Sequence, residues 1–242
     1  MTSALVSITL QALLNRRRTL LLALLGLLLI LITVLYRLGS PGPSEALEVT
    51  RNLLASFGIG VLVPIVAVIV GTSALGAELD DGTIVYLLAK PVPRWRIVLV
   101  KFVVAWLVTS LLVAPAIVVG GLIGNGDASL AIGFGLASII AALEYTAIFV
   151  ALSLVTSRAL IIGLAYVVIW EGVVAGLFTG TRAVSVRQHA LAVAEATGGD
   201  GAAGMAELSF AFGLAAAVVV TVAALAIAVR RLESVELRGE TG

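Results

Sequence analysis

The sequence predicts an all-α polytopic membrane protein with six transmembrane helices, an N-terminal interfacial amphipathic helix and a short helix in a cytoplasmic loop. Three observations predict it. Of 242 residues, 61% are hydrophobic and only 12% charged, with a mean hydropathy of +1.18; a soluble domain carries about 25% charged residues. A soluble fold cannot hide that much apolar surface, so its solvent is lipid. Charges stand at the edges of long apolar runs. Those runs, such as LLLALLGLLLILITVLY, do not alternate apolar and polar residues, which argues against a transmembrane barrel.

The elements follow in order along a single transmembrane domain, residues 1–242. In residues 1–18, Ser3, Ser7, Gln11 and Asn15 recur every four positions, while Leu5, Ile8, Ala12 and Leu13 lie elsewhere around the helix. This is the pattern of a helix lying on the inner leaflet with Arg16, Arg17 and Arg18 at the headgroups. Arg18 and Arg37 bracket 18 uncharged residues, a helix of about 27 Å, close to the hydrocarbon thickness. Arg51 and Glu78 bracket 26, Lys101 and Asp127 bracket 25, and Glu207 and Arg230 bracket 22. The 54 residues between Asp127 and Arg182 hold only Glu144, Arg158 and Glu171 as charges, and suit two spans joined at Thr156-Ser157-Arg158. The expected spans are near 19–37, 52–76, 97–123, 130–156, 159–179 and 206–229. Pro64 and Pro115 fall within the second and third, where they bend a helix locally.

Loops are expected at 40–50, a turn-rich connection, and at GNGDAS between the third and fourth spans. Residues 180–205 are expected to form an outer loop with a short helix, followed by a flexible glycine-rich tail. Val184, Leu191 and Ala194 of that helix are placed to rest on the membrane or a partner.

Lys and Arg set the orientation. With the N-terminus in the cytoplasm, eleven of the fifteen lie inside and four outside. The protein is then a multi-pass protein of the cell membrane with both termini cytoplasmic. Residues 77–96, between the second and third spans, face the cytoplasm. The first apolar run is read as an uncleaved span: it is longer than a signal-peptide core and lacks an A-x-A site.

Composition and motifs exclude several chemistries. Cysteine is absent, which removes disulfides, thiolate metal sites and cysteine nucleophiles. The net charge of +1 gives no reason to expect nucleic acid. There is no H-E-x-x-H, no G-x-S-x-G and no G-x-x-x-x-G-K-[ST]. No catalytic, cofactor or metal residues are assigned, and any ATP that drives the protein is hydrolysed by another chain. The single histidine, His189, reads as a solvated loop residue.

Two acids lie within spans. Glu144 falls at the middle of the fourth, where insertion scales put an ionised carboxylate at about 2.5–3.5 kcal/mol. Ala137, Ala141, Ala147 and Ala151 share its helix face, so it is expected to point into the bundle. Glu171 lies in the outer half of the fifth span. Intramembrane acids mark transport pathways, and both are taken as candidates to line or gate one; a hydrogen bond between helices is the structural alternative.

The stretch AELDDGTIVYLLAKPVPRWR, residues 77–96, is a charged island between two long apolar runs. Glu78, Asp80 and Asp81 cluster where the second span ends. Asp81 can cap a helix with Thr83 in its first turn. TIVYLLAK supplies about two turns, and Pro91 and Pro93 end them. Arg94 and Arg96 follow. Such a helix, apolar between charged flanks, suits either a partner's groove or the lipid interface.

The segment ELDDGTIVYLLAKPVPRWRIVLVK resembles the signature region of ABC type-2 permeases, the membrane subunits of ATP-binding-cassette exporters. Glu78, Gly82, Thr83, Leu87, Leu88, Pro91, Arg94 and Lys101 match the family's pattern, and the six-span layout matches more loosely over the whole chain. The resemblance implies that residues 77–96 hold a coupling helix seated on a separate cytoplasmic ABC ATPase. It also implies that ATP-Mg binds that ATPase and not this chain, that a second permease subunit pairs with this one, and that the N-terminal helix is the family's connecting helix. The outer region is small, which argues against a large outer domain. The alternative functions are a proton- or ion-coupled secondary transporter using Glu144 and Glu171, and a membrane scaffold; no internal repeat supports the former.

Overall fold

A computed structural model of the chain describes residues 16–40, 42–80, 92–177 and 179–239. The expected interfacial helix before residue 16, and most of the expected coupling helix, lie outside the described residues. Six helices are long and apolar enough to cross a membrane: Thr19–Leu38, Pro43–Gly76, Arg94–Asn125, Ala128–Val155, Ala159–Leu177 and Phe210–Ser234. No strand occurs among the described residues. The protein is therefore an all-α, multi-pass membrane protein.

Helix α1, Arg16–Leu38, is the first span. Helix α2, Pro43–Leu53, begins earlier than the turn-rich sequence around it suggests. Pro43 takes the first helical position, where its missing N–H costs no bond. Glu45 sits in the first turn, beside the positive end of the helix dipole. The turn residues are thus confined to the few positions before Pro43. Helix α2 runs into a π-helical stretch, Leu54–Leu62, and then α3, Val63–Asp80, which completes the second span. Pro64 stands two residues beyond the end of the π-helical stretch. A proline cannot donate to the carbonyl four residues back and its ring crowds that carbonyl; a widened turn ahead of it relieves the crowding.

Helix α4, Arg94–Asn125, starts after the extended Pro93 and ends at Gly126, whose φ of 78° puts it in the left-handed region that glycine occupies without strain. One residue later Asp127 caps α5, Ala128–Val155, accepting from the backbone N–H groups of Ser129 and Leu130. The Ser129 hydroxyl also donates to Asp127 at 2.6 Å. That bond, with the two backbone N–H groups, holds the Asp127 carboxyl below the usual carboxylate range against a smaller opposing effect of burial. Its stabilisation is therefore present above the ordinary carboxylate pKa and lost as pH falls through the lowered folded value. Replacing Asp127 by Ala is expected to cost about 1 kcal/mol, as for other N-caps. It should also flatten the acid limb of a thermal-denaturation profile measured against pH.

The fifth span comprises α6, Ala159–Ala165, a second π-helical stretch, Tyr166–Val174, and the short α7, Ala175–Leu177. A 3-10 stretch, Thr179–Val184, leads to α8, Val186–Thr197. After another 3-10 turn, Asp200–Ala202, helix α9, Phe210–Gly239, forms the last span. Chain order gives the bundle two ends. The basic end carries Arg94, Arg96, Arg158, Arg230 and Arg231; the far end carries the α1–α2 and α4–α5 connections.

Helix α5 is the hub, packed on α3, α4, α8 and α9. In the second and fourth spans 61% of the apolar window is buried, against 22%, 22% and 28% in the first, fifth and sixth. Burial therefore separates two central spans from three that turn most of their apolar surface outward. Phe134, Tyr145 and Phe149 of α5 are fully buried, with Tyr145 and Phe149 stacked at 5.9 Å.

Candidate functional site

The glycine-rich tail is packed. Gly201 and Ala202 are buried and Gly198 lies against α5. A Cβ on Gly133 would stand 2.4 Å from the Gly198 Cα, so only glycine at 133 lets the end of α8 approach α5 this closely. Leu191 and Ala194, expected to face the membrane or a partner, are buried at 4% and 0% exposure within the bundle, while Val184 stays exposed. Helix α8 is thus laid onto α5 and α9 of its own chain.

Two intramembrane acids hold the start of α8. Glu144 is fully buried, and so are its alanine neighbours Ala137, Ala141 and Ala147. Its Oε2 lies 2.9 Å from His189 Nδ1, and His189 Nε2 lies 3.0 Å from the Ala183 carbonyl. The expectation that His189 is solvated is corrected: it is 0% exposed. Its position five residues beyond Val184 looked like loop, but α8 folds inward and carries it to Glu144. A carbonyl only accepts, so Nε2 carries a hydrogen. Nδ1 then either donates as an imidazolium to the carboxylate or accepts from a protonated carboxyl. Either way one proton lies between the two side chains and the pair is neutral as a unit. A neutral pair avoids the cost of a lone charge at that depth.

Glu171 receives three donors. Ser185 Oγ donates to its Oε2 at 2.6 Å, and the Val186 backbone N–H to its Oε1 at 2.9 Å. The Tyr166 hydroxyl donates to Oε1 at 3.4 Å. Tyr166 and Glu171 are five residues apart, and they share a face because the helix there is π-helical, with bonds spanning five residues. Ser185 is also the N-cap of α8, accepting from Gln188 N–H. A carboxylate at this helix start meets the positive end of its dipole. Beside it lies a cavity of about 250 Å³ with Arg182, Arg187, Gln188 and Glu207 on its walls. Arg182 pairs with Glu207 and donates to the Ala175 and Gly176 carbonyls, which folds the 3-10 stretch back along α7.

At the basic end, Lys101 is 3% exposed. Its Nζ donates to the Ala74 carbonyl at 2.9 Å and to Glu78 Oε1 at 2.5 Å. The pair ties the end of α3 to the first turns of α4. Arg94 begins α4. The backbone of Asp80 closes α3. Asp81, Gly82, Thr83, Leu87, Leu88 and Pro91 lie outside the described residues. Nearby, a cavity of about 430 Å³ opens between α3 and the α5–α6 turn, with Thr72, Ser73, Ser153, Thr156 and Ser157 on its walls. The hydroxyls of Thr72 and Ser153 donate to the Val68 and Val150 carbonyls of their own helices.

The sequence placed Glu144 and Glu171 correctly as polar residues of the spans but missed their partners, His189, Ser185 and Tyr166. The one available signal was chemical: two lone acids in apolar helices require partners, and His189 is the sole histidine.

The six-span bundle thus carries a buried charged pair at the basic end and, from mid-span toward the far end, a helix tied to two acids. Comparison with protein-family profiles matches residues 14–184 to the family described as ABC-2 family transporter protein. The chain belongs to that family: it is an ABC transporter permease. The secondary-transporter and scaffold alternatives are accordingly set aside. No curated protein matches the chain.

Proposed function

We propose that this permease is the membrane half of an ABC exporter, driven by ATP-Mg hydrolysed on a separate cytoplasmic ATPase. Residues 77–96 form its docking element, and Glu78, Asp80, Asp81, Gly82, Thr83, Leu87, Leu88, Pro91, Arg94 and Lys101 carry the coupling. The observation that carries the reading is the Glu78–Lys101–Ala74 junction. A push on the intervening loop reaches both α3 and α4 through that junction, because the buried ammonium leaves neither helix end free to move alone. The basic end faces the cytoplasm, both termini with it, in line with the arginine asymmetry. A second permease subunit pairs with this one. The outward-facing first, fifth and sixth spans offer the surface for it and for lipid.

Glu144 and Glu171 act on the translocation pathway through α8. They hold its start at mid-span, and displacing it opens the far end. The hydroxyl-walled cavity at the basic end is the entry.

The coupling test uses Asp81→Lys. Glu78→Lys is a poorer choice, since it would set two lysines against each other in the buried junction and disturb the fold as well. With Asp81→Lys, the permease should insert and fold normally while transport falls and ATP hydrolysis by the complex continues or the ATPase dissociates. Full transport with normal ATPase stimulation by that variant would refute the docking role of this loop.

A further inference from the structure

Helices α4 and α9 leave an apolar groove of about 260 Å³ near the basic end. Trp95, Val98 and Leu99 form one wall; Val222, Ala226 and Val229 form much of the other. From Val222 to Val229 the groove runs about 10 Å along α9 at 1.5 Å per residue. Trp95 is half exposed at its mouth. The Arg96 guanidinium stands over the Trp95 ring, 5.2 Å from its centroid. On α9, Arg230 lies four residues beyond Ala226 and eight beyond Val222, so the stripe that lines the groove ends in an exposed arginine. The space is therefore apolar along its length and bordered by Arg96 and Arg230 where it meets the interface, with the exposed Glu233 one turn further along the α9 stripe. An indole at that boundary sits where tryptophan favours the headgroup level.

We propose that this groove binds an anionic phospholipid from the leaflet at the basic end, with an acyl chain between α4 and α9 and the phosphate between Arg96 and Arg230. The charge pattern selects this occupant. A helix of a second chain would fill the groove with side chains but would bring no anion to the Arg96 guanidinium at its mouth. A zwitterionic lipid would bring its own cation to the same place. Arginine offers paired N–H donors that match phosphate oxygens.

The test uses tryptophan quenching by lipids with brominated acyl chains. The full-length protein is reconstituted in phosphatidylcholine vesicles containing a variable fraction of brominated phosphatidylglycerol or, in parallel, brominated phosphatidylcholine. Brominated phosphatidylglycerol is expected to reach half-maximal quenching at a much lower mole fraction. An arginine near a membrane surface contributes about a fivefold preference for anionic lipid. R96Q/R230Q should bring the two curves together, and W95F should remove the lipid-selective part of the signal, leaving Trp106 and Trp170. Equal quenching by the two lipids in the wild type would overturn the proposal without recourse to any variant. A preference that survives R96Q/R230Q would overturn it too, by placing the anionic site elsewhere. Absence of quenching at Trp95 by either lipid would assign the groove to another chain.

Discussion

Replacing Glu144 by Leu is expected to lower the thermal midpoint by about 4–8 °C, and His189→Leu by a similar amount. The reason is the single proton that the pair shares. With Glu144 gone, His189 keeps its bond to the Ala183 carbonyl but loses the partner of Nδ1 at full burial. With His189 gone, Glu144 stays buried with neither oxygen satisfied by the imidazole. A buried polar atom left without a partner costs about 1–3 kcal/mol, and each kcal/mol is worth about 2–4 °C in a chain of this size. The double variant E144L/H189L removes both orphans and should be less destabilised than the sum of the singles, giving an interaction energy of about 2 kcal/mol. Glu144→Gln distinguishes structure from function. Its amide can donate or accept toward Nδ1 and should hold the midpoint within about 2 °C. It cannot carry the shared proton, so transport should still fall. Strict additivity of the two leucine substitutions would show that the pair does not act as a unit.

The second large effect belongs to Lys101. Lys101→Met removes a buried ammonium and two of its bonds, to Ala74 and Glu78. Breaking one side of a fully buried pair costs about 3–5 kcal/mol. The Glu78 side chain is 25% exposed, so water recovers part of its solvation and the lower end of that range applies. Glu78→Gln, which keeps an acceptor for the lysine, should cost about 1 kcal/mol. Folded yield measured by size-exclusion chromatography after heating would rank the three proteins: wild type, then E78Q, then K101M. K101M should also lower coupling beyond its loss of fold, because the ends of α3 and α4 are no longer joined.

Much of the fold was legible because lipid leaves few choices. A run of 18 or more apolar residues between charges has to be a spanning helix. The ends of the first, third, fourth and fifth spans follow from Arg18, Asp127 and the Thr156-Ser157-Arg158 turn. What periodicity could not reveal is where a helix widens. Nothing in the spacing of Tyr166 and Glu171 indicates π-helix, and an ordinary α-helix would have set them on different faces. The beginning of α2 was hidden because Pro41, Gly42 and Pro43 resemble a turn, whereas Pro43 in fact starts a helix.

The candidate site was half visible. Lone acids in apolar helices mark themselves, and so did Glu78 and Lys101 through the family pattern. Their partners did not, because contact between α5 and α8 joins residues 45 apart. An apolar stripe on α8 fits a membrane surface, a partner and the chain's own bundle equally well. Gly133 and Gly198 decide for the bundle by permitting close approach, and that choice is made in three dimensions.

Docking of residues 77–96 on an ATPase at the basic end places position 81 at the contact. The chain contains no cysteine, so a single cysteine at Asp81 is the sole thiol. The decisive measurement is cross-linking from Asp81→Cys, in membranes, to a co-expressed P-loop ATPase, with a cysteine at Ser40 as the far-end control. A cross-link to the ATPase is expected from position 81, altered by ATP with vanadate, and none from position 40. A cross-link from position 40, or none from position 81 in a complex that hydrolyses ATP and transports, would exclude docking through this loop.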